Sequence, residues 1–343
     1  MLQIDNKTSF VASLLTFPDE DGIDALYPVI KATFNFPQGK ISIAEKQMPL
    51  VGSDQYSGDP GKSSLDYSSD FMPCKPCTDI LLKGTAYSPR GAEVNWIDVS
   101  LIVNDREKGF RIFGNRFWTK KIIGYSISNP VPFKEMPLKY ELAFGGGDAL
   151  KDETEIFYEY NPVGKGYCHQ KGTKEIDGLP LPNIEDPKEL IENPKQKPMT
   201  SGFGPIAPNW MPRISLAGTY DEKWQKNRAP YLPKDFNPKF YNVSSSDFIF
   251  SPYLEGGEEI KIKNLTPDGF VSFRLPKLEF KVILKLESKL IPVRMNLETV
   301  LIEPDEKCLT MTWKGKLNCD KKLLKMELAT FEIGKTNGAV EGL

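Results

Sequence analysis

Histidine is almost missing from this chain: His169 is the single one in 343 residues. A serine or cysteine triad would have to be built on that residue, and no recognisable nucleophile or base motif flanks it, so nucleophilic hydrolysis is not expected. Cysteine is scarce and odd in number, at five, which fits reduced thiols better than a disulfide framework. Net charge is nearly absent too. With 44 basic and 46 acidic side chains, no overall field is available to hold nucleic acid or an anionic bilayer, and either partner would need a local patch. No run approaches the roughly 20 apolar residues of a membrane span. The opening MLQIDNKTSFVASLLTFPDEDG has neither a basic leader nor a long apolar core. A cytoplasmic protein with no nucleic-acid or membrane partner is therefore expected. There is no P-loop, and GGGD at Gly145 to Asp148 lacks the strand-to-helix context of a dinucleotide loop, so it reads as a turn. The lack of any fixed-period repeat disfavours solenoids and propellers.

What is present is a globular composition, 40% hydrophobic and 11% aromatic, with enough length for one large domain or two ordinary ones. The apolar stretches are short, rich in β-branched and aromatic residues, and punctuated by Gly, Pro, Asn and Asp, which is the texture of a β protein. Tyr27 to Phe36 alternates Val29, Lys31 and Thr33 against Ile30, Ala32 and Phe34, and the PQGK turn then leads into ISIAE, predicting a hairpin. TDILLKGTAYSP, EVNWIDVSLIVND and KGFRIFGNRFWTK predict a three-stranded meander. The segment from about residue 129 to 245 is crowded with proline and loses apolar periodicity, except for a short helix expected at DPKELIEN with Asp186 as N-cap. Strands return in IKIKNL, GFVSFRLP, LEFKVILKLE, KLIPVRMNLETVLIEP, KCLTMTWKGKL and KKLLKMELATFEIG. The expected fold is mainly β, with antiparallel sandwich-like sheets at both ends and a long Pro-, Gly- and aromatic-rich region wrapping the core. The chain is taken as one unit, 1–343, divisible into 1–128, 129–245 and 246–343.

Three features invite a chemical reading. Cys74-Lys75-Pro76-Cys77 has the spacing of a zinc half-site, but the other candidate ligands, Cys168 and His169, are adjacent and form no second paired motif. Ordinary thiols are the expectation, with Cys74 and Cys77 kept as weak metal candidates and no cofactor required. Among carboxylates, Glu141, Asp148, Glu185 and Asp221 lie in the aromatic, Pro-rich centre, where a glycosidase pair or a lectin cleft would be sought; structural roles are favoured for each. KGFRIFGNRFWTKK interleaves Arg111, Arg116, Lys120 and Lys121 with Phe110, Phe113, Phe117 and Trp118 in the manner of a nucleic-acid surface. A two-faced strand is expected instead, with Phe110, Ile112 and Trp118 inward and the charges solvated.

Taken in order, the phrases VIKATFNF, QMPLVGSDQYSGDPGKSSLDYSSDFMPCKPCTDILLKGTAYSPRG, FGNRFW, PVPFKEMPLKYELAFGGGD, NPVGKGY, LPNIE, SGFGPIAPNWMPRISLAGTYDEKWQKNRAPYLPKDF and YLEGGEEIKIKNLTPDG resemble a bacterial family. This family carries the domain of unknown function numbered 2169 and is encoded beside type VI secretion genes. The resemblance runs from about Val29 to Pro304. Where members commonly read P-x-K-P-x-T-D, this chain has MPCKPCTD, with the cysteines at variable positions, which weakens the metal reading further. The resemblance implies a non-catalytic adaptor or chaperone that binds an effector toxin and helps mount it on the valine-glycine-repeat spike protein. A carbohydrate-binding or carbohydrate-active β protein is the alternative. The family transfers no site residues. The aromatic and arginine content of residues 203–231, namely Phe203, Trp210, Arg213, Tyr220, Trp224, Arg228 and Tyr231, marks that stretch as either a partner surface or a belt closing the β core.

Overall fold

The computed structural model describes residues 3–147, 156–168 and 176–334. The protein is mainly β, built on three larger sheets, with no closed barrel among the described residues. The eight-stranded sheet runs in the order Ile249–Phe250, Thr78–Leu82, Asn296–Glu303, Cys308–Lys314, Asp24–Asn35, Val11–Pro18, with Ser42–Ile43 and Leu317–Asn318 adding to Asp24–Asn35. A five-stranded sheet follows the order Ile184–Glu185, Arg106–Phe113, Trp96–Val103, Glu259–Lys263, Phe270–Arg274. The third is four-stranded: Gln3–Asn6, Met326–Ile333, Phe280–Leu286, Lys289–Val293. Most pairings are antiparallel. Two in these sheets are parallel, Gln3–Asn6 with Met326–Ile333 and Thr78–Leu82 with Asn296–Glu303.

The strand Asp24–Asn35 shows how period-two alternation builds this core. Leu26, Ile30, Ala32 and Phe34 enter the main hydrophobic cluster, where they meet Val99, Leu101 and Ile262 of the five-stranded sheet and Val282, Leu284 and Phe331 of the four-stranded one. Successive side chains point to opposite faces of a strand, so Ala25, Tyr27 and Val29 form a separate cluster with Leu15. Lys31 and Thr33 share that outer face. It is not solvated: the segment preceding Thr78 lies over it, and the charges beneath are paired as burial requires. Lys31 Nζ sits 2.9 Å from Asp70, and Lys314 Nζ sits 3.5 Å from Glu298. Lys75 Nζ lies 2.8 Å from Asp79, which is wholly buried and also accepts from the Asn242 amide and the Val243 N–H.

The hairpin predicted at PQGK forms, with Phe34 opposite Ile43 and Asn35 opposite Ser42. Gly39 in its turn has φ +82°, and a Cβ there would lie 2.3 Å from the Ser272 carbonyl oxygen, so only glycine lets the turn press against the edge strand Phe270–Arg274. The three-stranded meander does not form. Trp96–Val103 and Arg106–Phe113 are a hairpin around Asn104, whose φ is +55°, but Thr78–Leu82 belongs to the eight-stranded sheet. Hydrogen bonding to Asn296–Glu303 from the other end of the chain took precedence over its sequence neighbours. The strands before residue 128 and after residue 246 thus share sheets. At DPKELIEN the expected helix is absent. Asp186 Oδ1 accepts the Lys188 N–H at 2.8 Å in a turn, and Glu185, held against Arg116, takes the Ile191 N–H at 2.8 Å. That contact pulls Ile191 into a small core and overrides the local helix signal. The α-helix among the described residues is Glu222–Asn227, capped by Asp221. Among the described residues no helix is long and apolar enough to cross a membrane.

Candidate functional site

Residues 203–217 and their surroundings form a buried junction. Trp210 packs edge-on against Tyr140 with ring centroids 5.5 Å apart, in a cluster with Ile206 and Ala207 that Tyr56 and Val163 border. The Tyr140 hydroxyl donates to the Gly204 carbonyl at 3.0 Å, and burial pushes that phenol above its ordinary range. Gly202 makes room: a Cβ there would stand 2.4 Å from the Tyr140 ring. Buried Asn161 donates to the carbonyls of Tyr140 and Phe144 at 2.8 and 3.1 Å. Glu141 clamps the 55–67 hairpin, accepting the Ser64 N–H at 2.7 Å and the Ser64 hydroxyl at 2.9 Å. Four separate sequence motifs, YSGDPGKSSLDY, KYELAFGGG, NPVGKGY and SGFGPIAPNWMPR, therefore meet in one place.

Arg213 is sunk in the same junction. Its guanidinium donates to the Phe240 carbonyl at 3.1 Å and the Ile206 carbonyl at 2.5 Å, and lies 4.9 Å from the Phe240 ring centre. Burial lowers its pKa, while the fields of Asp54 and Asp79 work against that shift. Phe203 enters the main core, 4.6 Å from Phe110. Phe203, Trp210 and Arg213 are thus placed inside the fold, where they hold segments together.

The other four named residues stand on the surface around the short helix. Asp221 accepts the Trp224 N–H at 2.7 Å, starting the helix, and the Trp224 indole N–H donates to the Tyr231 carbonyl at 2.8 Å. Arg228 ties the loop to the body, donating to the Leu232 carbonyl at 2.7 Å and, across the molecule, to the Glu20 carbonyl at 2.6 Å. The Tyr231 ring rests on Gly22, whose missing side chain would fall 2.6 Å from it. Tyr220 meets Trp224 edge-on at 4.7 Å. Asp235 closes the loop base by accepting the Thr219 N–H and hydroxyl at 3.0 and 2.7 Å, bonds that hold its carboxyl below the usual range. Tyr220 and Tyr231 nonetheless remain 53% and 45% exposed. The result is a rigid aromatic cap. Sequence reading did not single out its footing on the FPDEDG turn, nor the adjoining rings of Phe236 and Tyr241, 5.3 Å apart; the acidic turn ending in Gly22 was the only local signal.

The remaining candidates take structural positions. Cys74 and Cys77 carry free thiols; burial, with the Glu298 carboxylate nearby, pushes the Cys74 thiol well up. No group of three metal-ligating side chains is assembled among the described residues. Glu185 pairs with Arg116 inside the fold, Asp221 caps the helix, and Asp148 and His169 lie outside the described residues. Phe110, Ile112 and Trp118 do point inward. Arg116 departs from the expected solvated row: it is buried, 3.5 Å from the Phe113 ring centre, because Glu185 supplies its countercharge. A groove of about 420 Å³ carries Glu303, Asp305 and Glu306 with Lys46, Tyr67 and Lys83. The face of Tyr67 there is covered by the Lys83 ammonium, 4.1 Å from the ring centre.

The chain belongs to a bacterial family of uncharacterized proteins, DUF2169, which matches residues 21–314. No curated protein and no solved structure matches it.

Proposed function

We propose that this DUF2169 protein is a non-catalytic adaptor of type VI secretion that binds an effector toxin and assists its loading onto the valine-glycine-repeat spike protein. The observation that carries the reading is the cap of Tyr220, Trp224 and Tyr231. Tyr220 and Tyr231 stand about half in solvent and Trp224 partly so, while the Trp224 indole and the Arg228 guanidinium are already committed to internal hydrogen bonds. Aromatic and arginine side chains dominate interface energetics, and a surface fixed before binding loses less conformational entropy on complex formation. The secretion context comes from the resemblance of the ordered motifs and is part of the proposal. The rival reading, a glycan-binding cleft, would want bare aromatic faces beside carboxylates; in the acidic groove Tyr67 is capped by Lys83.

The test is capture, by the tagged protein, of a valine-glycine-repeat spike protein and an effector toxin co-expressed with it, with salt-washed partners identified by mass spectrometry. Near-stoichiometric recovery that drops in a Trp224→Ala, Tyr231→Ala variant supports the proposal. Recovery of neither, with both confirmed as expressed, overturns it and directs attention to glycan screening of the acidic groove.

A further inference from the structure

A hairpin formed by Trp118–Lys120 and Tyr125–Ile127 has an anchored root and a bare tip. Trp118 is buried with Phe144, Tyr167, Leu181 and Ile191, and Tyr125 and Ile127 pack on the same small core. Trp118 pairs with Ile127, Thr119 with Ser126 and Lys120 with Tyr125. The Lys121 N–H then donates to the Gly124 carbonyl at 3.1 Å, leaving Ile122 and Ile123 at the tip. Their exposures are 105% and 91%, the extreme for large apolar residues here apart from Leu324. The position of this turn that needs positive φ is filled by Gly124, at +78°, so turn chemistry is satisfied and does not account for isoleucines at the tip. Two adjacent isoleucines in water also forgo the gain from burying apolar surface. Side chains left this bare by the described residues mark a place where a contact outside the fold would bury them.

The flanking charge says what that is. Residues 117–128, FWTKKIIGYSIS, contain two lysines and no acid. Lys120 and Lys121 are exposed, and neither makes an ion pair among the described residues. Asp177 approaches the root, but its carboxylate accepts the Lys120 backbone N–H at 2.7 Å. In a chain whose charges nearly cancel, this is a local cationic, apolar point.

We infer that the tip is a contact for a bilayer with anionic head groups. Ile122 and Ile123 enter the boundary between head groups and acyl chains, and Lys120 and Lys121 meet the lipid phosphates. With two isoleucines and two lysines the contact is weak, reversible and sensitive to salt. It stands on the hairpin alone and does not depend on the adaptor reading. The experiment is co-flotation of the full chain with vesicles of phosphatidylcholine containing phosphatidylglycerol, beside vesicles of phosphatidylcholine only. Far-ultraviolet circular dichroism and melting verify that each variant is folded. Wild-type protein should float with the anionic vesicles. The Ile122→Ser, Ile123→Ser variant should bind about tenfold more weakly or worse, and Lys120→Ser, Lys121→Ser should lose the preference for anionic lipid. Wild-type protein that floats with neither vesicle, or an isoleucine variant that floats as well as wild type, overturns the inference. Absent flotation together with weakened capture of a partner protein by the isoleucine variant would also overturn it, assigning the tip to a protein socket.

Discussion

Residues 203–217 and 218–233 are neighbours in sequence and both carry aromatics, prolines and an arginine, but the first has a single charged residue and the second five, and the structure uses them in opposite ways. The first stretch sinks Phe203, Trp210 and Arg213 among elements from distant parts of the chain. The second gathers Tyr220, Trp224 and Tyr231 around a short helix fixed by its own hydrogen bonds. The difference lies in what each stretch meets. Trp210 finds Tyr140, Ile206 and Ala207 around it, whereas Trp224 finds Tyr220 and the Tyr231 carbonyl of its own loop, with the Tyr231 ring resting on the Gly22 turn. Aromatic residues in a proline-rich segment therefore serve a junction or an interface according to their tertiary neighbours, and the two roles make different demands on stability and binding.

The sharpest way to break this contrast is Gly146→Val. Gly146 has φ +91°, and a Cβ there would lie 2.3 Å from the Gly164 carbonyl oxygen, so the backbone of the junction itself must shift. The expected loss is about 4 kcal/mol or more, at the diagnostic end for single substitutions, read by urea denaturation. A change under about 1 kcal/mol would show that the junction is not what holds these segments together. Trp210→Ala comes next, with about 3–5 kcal/mol lost through cavity formation, and any drop in partner capture should follow the fraction unfolded. In the cap, the Trp224→Ala, Tyr231→Ala variant should reverse that order: unfolding free energy within about 1 kcal/mol of wild type, and capture weakened by about 2 kcal/mol or more. Equal losses of stability in cap and junction variants would erase the distinction. The mildest change is Arg228→Lys, which keeps the charge but cannot reach the Leu232 and Glu20 carbonyls as a fork. It should cost about 1 kcal/mol and appear chiefly as faster amide exchange over residues 218–233.

The alternation of Asp24–Asn35 was legible because period-two patterning is a local property: Ile30, Ala32 and Phe34 face the main core in the way their spacing indicates. The turns at Gln38-Gly39 and Asn104 were legible for the same reason, since positive φ restricts which residues fit. DPKELIEN misled because its helix signal is worth little against one buried ion pair that redirects the chain at Glu185. Arg116 misled because exposure of a charge is a default that a matching buried carboxylate cancels.

By itself, then, the sequence determined that this would be a β protein, the two-residue alternation of strands such as Asp24–Asn35 and Arg106–Phe113, and which ordered motifs tie it to its family. Only the tertiary structure decided that Thr78–Leu82 pairs with Asn296–Glu303 rather than with its neighbours, that four dispersed motifs converge on Tyr140 and Trp210, and that Trp224 stays outside while Trp210 does not. The physical reason is the range of the interactions: backbone propensity and turn chemistry act over a few residues, whereas strand pairing and burial depend on which distant surfaces the whole chain brings together.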